Sequence, residues 1–203
     1  MVEADAVFAT SNPGKMREIR AILNDAHDGV KISVQSMAEA GIEAEIKEDG
    51  ATFEANALKK ATFIMKLCGK IVLADDSGLE IDYLYRMPGV LSARYFGCNT
   101  PYEVKNKKLL EMMKDASDEQ RTARFICAIA AAFPNGRVIL RKGVFEGVIG
   151  IKPKGENGFG YDPIFYVPEY KMTAAEMPAE LKNAISHRSK ALRRMKAALR
   201  EAF

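Results

Sequence analysis

The chain has 203 residues, 48% of them apolar and 28% charged, and its Lys and Arg outnumber its Asp and Glu by only 30 to 27. That balance belongs to a globular protein long enough for a sizeable core, and the charge excess is too small to argue for a nucleic-acid partner. No apolar run approaches the roughly 20 residues of a membrane span, and the opening MVEADAVFAT lacks the basic start and long apolar core of a secretory signal, so no membrane partner is expected.

In chain order, AVFATS reads as a short strand and NPGKMREIRAILND as a helix, with Asn12 as N-cap and Pro13 in the first turn. The turn between them gathers free backbone N–H groups at the positive end of the helix dipole. Thr10, Ser11 and Asn12 add short hydrogen-bonding side chains, Pro13 and Gly14 complete the turn, and Lys15 adds a cation. This chemistry suits a phosphate, although a capped helix with a solvent-facing lysine has the same sequence. It is not a Walker A loop: Ala9 stands where the first glycine would fall, and Met16 replaces the magnesium-binding Ser or Thr. His27, beside Asp28 and Gly29, reads as an ordinary loop residue.

KISVQS alternates as a half-buried strand does. EIKEDGATFEANALKKATFIMKLCG turns into a long helix whose Ala57, Leu58, Ala61, Ile64, Met65 and Cys68 form one apolar stripe. Lys59 and Lys66 fall opposite that stripe. Asn56 and Lys60, four apart, sit at its edge, where a lysine can lean into a cleft or snorkel to solvent.

The run Ile71 to Ala74 reads as a buried strand that ends in Asp75 and Asp76, followed by Ser77 and Gly78. Two like charges there are costly unless something positive neutralises them. Mg²⁺ is one such partner, because it prefers oxygen ligands and binds one or two carboxylates together with substrate phosphates. Neighbours on an extended chain point to opposite faces, so the two aspartates need not share a role. Glu45, Glu48 and Asp49 upstream could each add a ligand. A plain Asp-Asp-Ser-Gly turn closing the strand is the alternative.

PYEVKNKKLLEMMKDA reads as a helix. TARFICAIAAAF and RVILRKGVFEGVIG read as strands joined at Pro134-Asn135-Gly136. GENGFGYDPIF is a loop entering a short strand. Its Gly158 and Gly160 flank Phe159 and allow a close-approaching backbone that displays an aromatic face to a base, with Asp162 able to accept from the base edge. Packing of Phe159 into the core is equally compatible. In LKNAISHRSKAL, Ser186 can cap the final helix. His187 and Arg188 then lie in its first turn, where cations are electrostatically misplaced, so their heads are expected on an anion or acceptor elsewhere. That helix carries Ala191, Leu192, Met195, Ala198, Leu199 and Ala202 on one face. The order of strands and helices predicts an α/β fold with a mixed sheet. Cys68, Cys98 and Cys127 are odd in number and far apart, which reads as free thiols in a reducing cytoplasm.

Taken together, a phosphate cradle with lysines, acids for a metal, an aromatic shelf and polar groups for a base match one ligand, a nucleoside triphosphate with Mg²⁺.

At this point the sequence resembles the inosine triphosphate pyrophosphatase family. The resemblance runs through ATSNPGKMREI, EDGATFEANALKKA, LADDSGLEIDYL, PGVLSARYFG, GFGYDPIF and SHRSKAL, spanning nearly the whole chain. It implies a single domain over residues 1–203 with an elongated mixed β-sheet flanked by helices, two lobes and a central substrate cleft, assembled as a homodimer. It implies Mg²⁺-dependent hydrolysis of the purine nucleotides ITP, dITP and XTP to the monophosphate and pyrophosphate. By position, Thr10 to Lys15 look like the phosphate segment, Lys60 the second phosphate lysine, and Ser77 a substrate contact. Asp76 resembles the proton acceptor and metal ligand, with Glu48 and Asp75 as further metal-site carboxylates. Phe159, Gly160, Tyr161, Asp162, Lys182, His187 and Arg188 look like the base-recognition set. The chain departs from the family pattern in two places: Tyr85 and Arg86 in LYRMPG stand where a small Gly-Gly turn is usual, which bears on the local turn geometry, and Asn157 stands where Gly is common, a residue that tolerates left-handed conformations. Two other classes share some of these features. A nucleotide sensor needs the base pocket but not the acids, and a phosphatase with an aspartyl nucleophile would release phosphate.

Overall fold

The computed structural model describes residues 2–10, 12–25 and 30–202. His27 and Ser11 lie outside the described residues. Among the described residues eight strands form one sheet in the hydrogen-bonded order β2-β1-β3-β5-β6-β7-β8, with β4 on β3. β1 (Val2–Phe8), β2 (Val30–Ser36) and β3 (Val72–Ile81) are parallel neighbours, with β1 central. β4 (Met87–Pro88) runs antiparallel to β3, as do β7 (Phe165–Val167) to β6 (Val138–Ile149) and β8 (Met172–Thr173) to β7. The sheet is therefore mixed and the fold α/β, as the alternating pattern predicts. β5 (Thr122–Ala132) and β6 flank the expected Pro134-Asn135-Gly136 turn, with Gly136 left-handed.

The chain divides into two compact units. The first comprises Met1–Asp76, Cys127–Gly143 and His187–Phe203. Its core packs α1 (Pro13–Leu23) and α5 (His187–Arg200) on one sheet face, through Met16, Ile19, Leu192 and Met195 against Phe8, Leu73 and Ile129. α1 starts where the sequence predicts: the Asn12 side chain accepts from the Lys15 amide at 3.1 Å and Pro13 occupies the first turn. α2 (Phe53–Cys68) is capped by Thr52 and closed by left-handed Gly69. Its buried stripe is Phe53, Asn56, Ala57, Lys60, Ala61 and Ile64, rotated from the expected one so that Asn56 and Lys60 lie on it rather than at its edge.

The second unit comprises Ser77–Ile126 and Val144–Ser186. Leu79, Ile81, Phe125, Phe145, Ile164 and Phe165 form its core, with Leu109 and Met113 from the segment of α3 (Tyr102–Met112) and its C-cap. Each such side chain, fully buried, contributes about 1.5–3 kcal/mol. α4 (Ala179–Ile185), which the sequence reading does not predict, has extended Ser186 as its C-cap, where the final helix is expected to begin. β3 also differs from expectation. It does not end at the aspartates but continues to Ile81, because Leu79 and Ile81 keep the alternation going into the second core.

Candidate active site

In the first unit, β3 carries Asp75 and Asp76 side by side, 1% and 7% exposed. Strand alternation sends them to opposite faces. Asp75 shares its face with Leu73, towards α1 and α5. Lys15 of α1 donates to its Oδ1 at 3.1 Å and stands 2.9 Å from its Oδ2, and the Arg188 guanidinium of α5 lies 3.6 Å away. Arg188 is also paired with Glu18 of α1. Burial by itself would push the Asp75 carboxyl up, but the charges of Lys15, Arg188 and Lys60 outweigh it and hold the group well below the usual carboxylate range.

Asp76 faces α2. Its carboxylate accepts from Asn56 Nδ2 at 2.8 Å, and Asn56 Oδ1 in turn accepts from the Gly50 amide at 2.7 Å. Asn56 thus ties the strand to the loop that carries Glu48. Lys60, one turn further along α2, pairs with Glu48. Burial pushes the Asp76 carboxyl up; Lys60 and Asn56 pull it down without overcoming burial, and Glu48 and Asp75 add to the rise. Burial would lower the Lys60 ammonium, yet the negative charges of Asp75, Glu48 and Asp76 hold it above its ordinary value. One face of the aspartate pair is therefore neutralised by fixed cations, and the other presents a carboxylate that holds a proton more readily than usual.

The acids near Lys60 fit a Mg²⁺ ion. Glu48 and Asp76 supply hard oxygen donors around one ammonium, and an ion that keeps waters and takes phosphate oxygens needs only one or two carboxylates. Among the described residues no group of three or more His, Cys, Asp or Glu side chains is placed to hold a metal. Of the expected Glu48, Asp75 and Asp76, Asp75 is paired with Lys15 and Arg188 on the other face. Of the three upstream acids, Glu45 is exposed and Asp49 pairs with Lys59 at 2.5 Å.

In the second unit, the loop 157–162 folds on itself. Asp162, 4% exposed, accepts from the Phe159 amide at 2.8 Å and from Lys182 of α4 at 2.7 Å. Gly158 is required at φ 78°, because an added Cβ would stand 2.2 Å from Asp162 Oδ2. The Lys182 ammonium lies 5.2 Å from the Phe159 ring centroid, and Phe159 is part-exposed while Tyr161 is buried. The loop is thus a rigid tongue with an aromatic face and a buried Lys–Asp pair.

Comparison with known proteins adds to this geometry. The profile of the Ham1 family matches residues 6–198. The chain belongs to the Ham1 family. It is 47% identical to the dITP/XTP pyrophosphatase of Clostridium perfringens over 94% of each chain. It is 45% identical to that of Bacillus subtilis over 96% of each. Its fold is similar to a solved Ham1 structure from Coxiella burnetii, with a TM-score of 0.87 and 42% identity, covering 99% of this chain and 100% of the other.

Within this Ham1 chain, the structure brings Lys15, Glu48, Lys60, Asp75 and Asp76 together in the first unit, and Phe159, Gly160, Tyr161, Asp162 and Lys182 together in the second. Thr10 Oγ1 accepts from the Asn12 amide at 3.2 Å, and Pro13, Gly14 and Lys15 form the first turn of α1. Ser77 follows Asp76 on β3 and is half-buried. His187 is buried in the first turn of α5. Arg188, read from sequence with the base set, has its guanidinium between Asp75 and Glu18. This satisfies the expectation that a cation at a helix N-terminus is held by an anion elsewhere. Asn56 and Glu18 are absent from the sequence-derived set. The i, i+4 spacing of Asn56 and Lys60 is the one local signal for the first; Glu18, 170 positions from Arg188, has none. Asn157 is not left-handed; its amide donates to Ala175 O at 2.9 Å and its side chain to Met177 O at 3.3 Å. Tyr85 and Arg86 do adopt the left-handed turn of the Gly-Gly they replace, at φ 52° and 67°.

Proposed function

We propose that the protein hydrolyses ITP, dITP and XTP to the nucleoside monophosphate and pyrophosphate, with Mg²⁺. The observation that carries this reading is the division of labour across β3. Asp75 is fixed by Lys15 and Arg188, while Asp76, oriented by Asn56 and raised in pKa, stands beside Lys60 and Glu48. A carboxylate with raised basicity, next to a buried lysine, is suited to take a proton from water attacking the α-phosphorus. Lys15 and Lys60 hold the outgoing pyrophosphate, and the Thr10–Lys15 turn takes its oxygens at the start of α1. Asp76 and Glu48 would hold Mg²⁺ together with the phosphates, and when bound it would supply charge neutralisation in the transition state. Ser77 contacts the substrate beside Asp76.

The base is taken by the Phe159 face and by donors from Lys182. Hypoxanthine and xanthine carry an oxygen at C6, which accepts from an ammonium; adenine presents an amino group and leaves that donor unpaired. Sites of this kind discriminate by roughly 10²- to 10⁵-fold. The relatives' names, dITP/XTP pyrophosphatase, support the same substrate class. The family resemblance adds a cytoplasmic homodimer to the reading, which light scattering on the purified protein tests. Incubation with ITP, dITP, XTP, ATP and GTP in Mg²⁺, scoring pyrophosphate against orthophosphate, tests the activity. Pyrophosphate from the first three at rates at least about 10²-fold above ATP is expected, while GTP, which shares the C6 oxygen, shows whether a second feature reads C2. Orthophosphate points to an aspartyl-nucleophile phosphatase, and binding without products points to a sensor.

A further inference from the structure

The buried face of α3 is not what a core helix uses. Its inward positions include Lys105 and Asn106, 1% and 3% exposed, with Tyr102 one turn before them. Helix spacing of three and four places these residues on one side. Lys105 Nζ donates to Ala93 O at 2.6 Å and lies 5.0 Å from the Tyr102 ring centroid, with no carboxylate paired to it among the described residues. Asn106 Nδ2 donates to Gly160 O at 3.2 Å, while its Oδ1 has no hydrogen-bond partner among the described residues. A buried ammonium without a counter-ion and a half-satisfied amide both cost stability, so this face is poorly chosen for packing alone.

What it does is grip the 157–162 loop. Asn106 holds the carbonyl of Gly160, which sits at φ 72°. The Tyr102 ring meets Tyr161 edge-on at 5.2 Å and covers the side of Gly160 where a Cβ would point, 3.6 Å away. Tyr161 OH donates to Ser92 O at 2.9 Å, next to the Ala93 carbonyl that Lys105 holds. Four ties thus join α3, residues 92–93 and the loop into one frame, each ending on a backbone carbonyl or an aromatic edge of a segment that has no regular structure of its own.

We infer that Asn106 is a positioning residue for purine selectivity, holding Gly160 so that Phe159 and the Lys182–Asp162 pair are presented in one fixed arrangement, with Tyr102 as its second clamp. The inference rests on the proposed base-reading role of that loop. Removing the bond leaves the chemistry at Asp76 untouched and loosens only the binding of the base. The test is steady-state kinetics with ITP and ATP on Asn106→Ala and Tyr102→Leu, with Leu109→Ala as a core control on the same helix and Phe159→Ala as a direct probe of base reading. Asn106→Ala is expected to raise KM for ITP about 10-fold, the size of one lost buried hydrogen bond, with kcat nearly unchanged and the ITP/ATP ratio of kcat/KM narrowed to match. Tyr102→Leu, at a part-exposed position that tolerates the change, should shift the same ratio in the same direction even if Asn106→Ala fails to fold. Leu109→Ala should lower the melting temperature and leave the ratio alone. A wild-type ratio in Asn106→Ala and Tyr102→Leu, while Phe159→Ala collapses it, overturns the positioning role. A wild-type ratio in all of them overturns the base reading beneath it as well.

Discussion

Asp75 and Asp76 are adjacent in sequence and opposite in electrostatics. The depressed pKa of Asp75 means that its ionised form stabilises the fold. That contribution is present above the unfolded value of about 3.9 and is lost as pH falls through the folded value. Asp75→Asn leaves part-exposed Lys15 without its carboxylate and buried Arg188 still paired with Glu18, at a cost of about 1.5–3 kcal/mol, and calorimetry should show a lower melting temperature with a shallower acid limb below about pH 4. Asp76 has the reverse sign. Its raised pKa means that the ionised group costs stability as pH rises above the unfolded value. Without Mg²⁺ at neutral pH, Asp76→Asn should therefore melt no lower than the wild type, while kcat falls by at least about 10²-fold. A loss of stability in Asp76→Asn equal to that in Asp75→Asn contradicts the assignment of the two faces. The opposite orientation of the pair is legible in the sequence, because a period of two is a local property. The partner of Asp75 is not. An unpaired acid in a strand suggests a metal, whereas its cations arrive from Lys15 and Arg188, and sequence spacing holds no record of which helices pack on which face.

At the scale of elements, the phase of α2 decides which lysine matters. An apolar stripe centred on Leu58 and Met65 would leave Lys60 at the edge. Packing instead centres on Ala57, Ala61 and Ile64, and Lys60 comes inward with Asn56. Polar residues with buried partners count towards a buried face as apolar ones do, and hydrophobic periodicity misses them. Lys60→Ala should lower kcat/KM by at least about tenfold, through loss of a charge-assisted contact to phosphate. Lys59→Ala, whose partner is exposed Asp49, should change it less than about twofold. Equal losses would show that the helix is rotated from the arrangement described. The turn after β3 carries a second element-scale cost. Tyr85, 94% exposed, and Arg86 are both left-handed where glycine is the natural choice. Tyr85→Gly should stabilise the protein by about 1 kcal/mol in denaturant melts, the usual penalty of a left-handed L-residue, with activity unchanged. A destabilised variant would mean that the Tyr85 side chain makes a contact that its exposure hides.

Across the whole molecule, two cores divide the chain, and β3, β5 and β6 run through both units. The α/β class and mixed sheet are legible from the element order, and the Ham1 motifs from their spacing. The continuation of β3 past the aspartates, the helix α4 and the polar face of α3 are not, since each depends on contacts between segments far apart in sequence. The thiols follow the cores. Burial, with the nearby Asp75 charge, pushes Cys127 up to about 12, while Cys98 is exposed and Cys68 half-buried. A disulfide reagent at pH 8 should label Cys98 first, Cys68 more slowly and Cys127 only on unfolding; rapid reaction of all three would contradict the packing of the first core. The central claim is that water attacks the α-phosphorus, with Asp76 as base and pyrophosphate leaving towards Lys15 and Lys60. Hydrolysis of dITP in H₂¹⁸O with Mg²⁺, followed by mass spectrometry of both products, tests it most directly. The account predicts one ¹⁸O in the nucleoside monophosphate and none in the pyrophosphate; label in the pyrophosphate, or release of labelled orthophosphate, contradicts it.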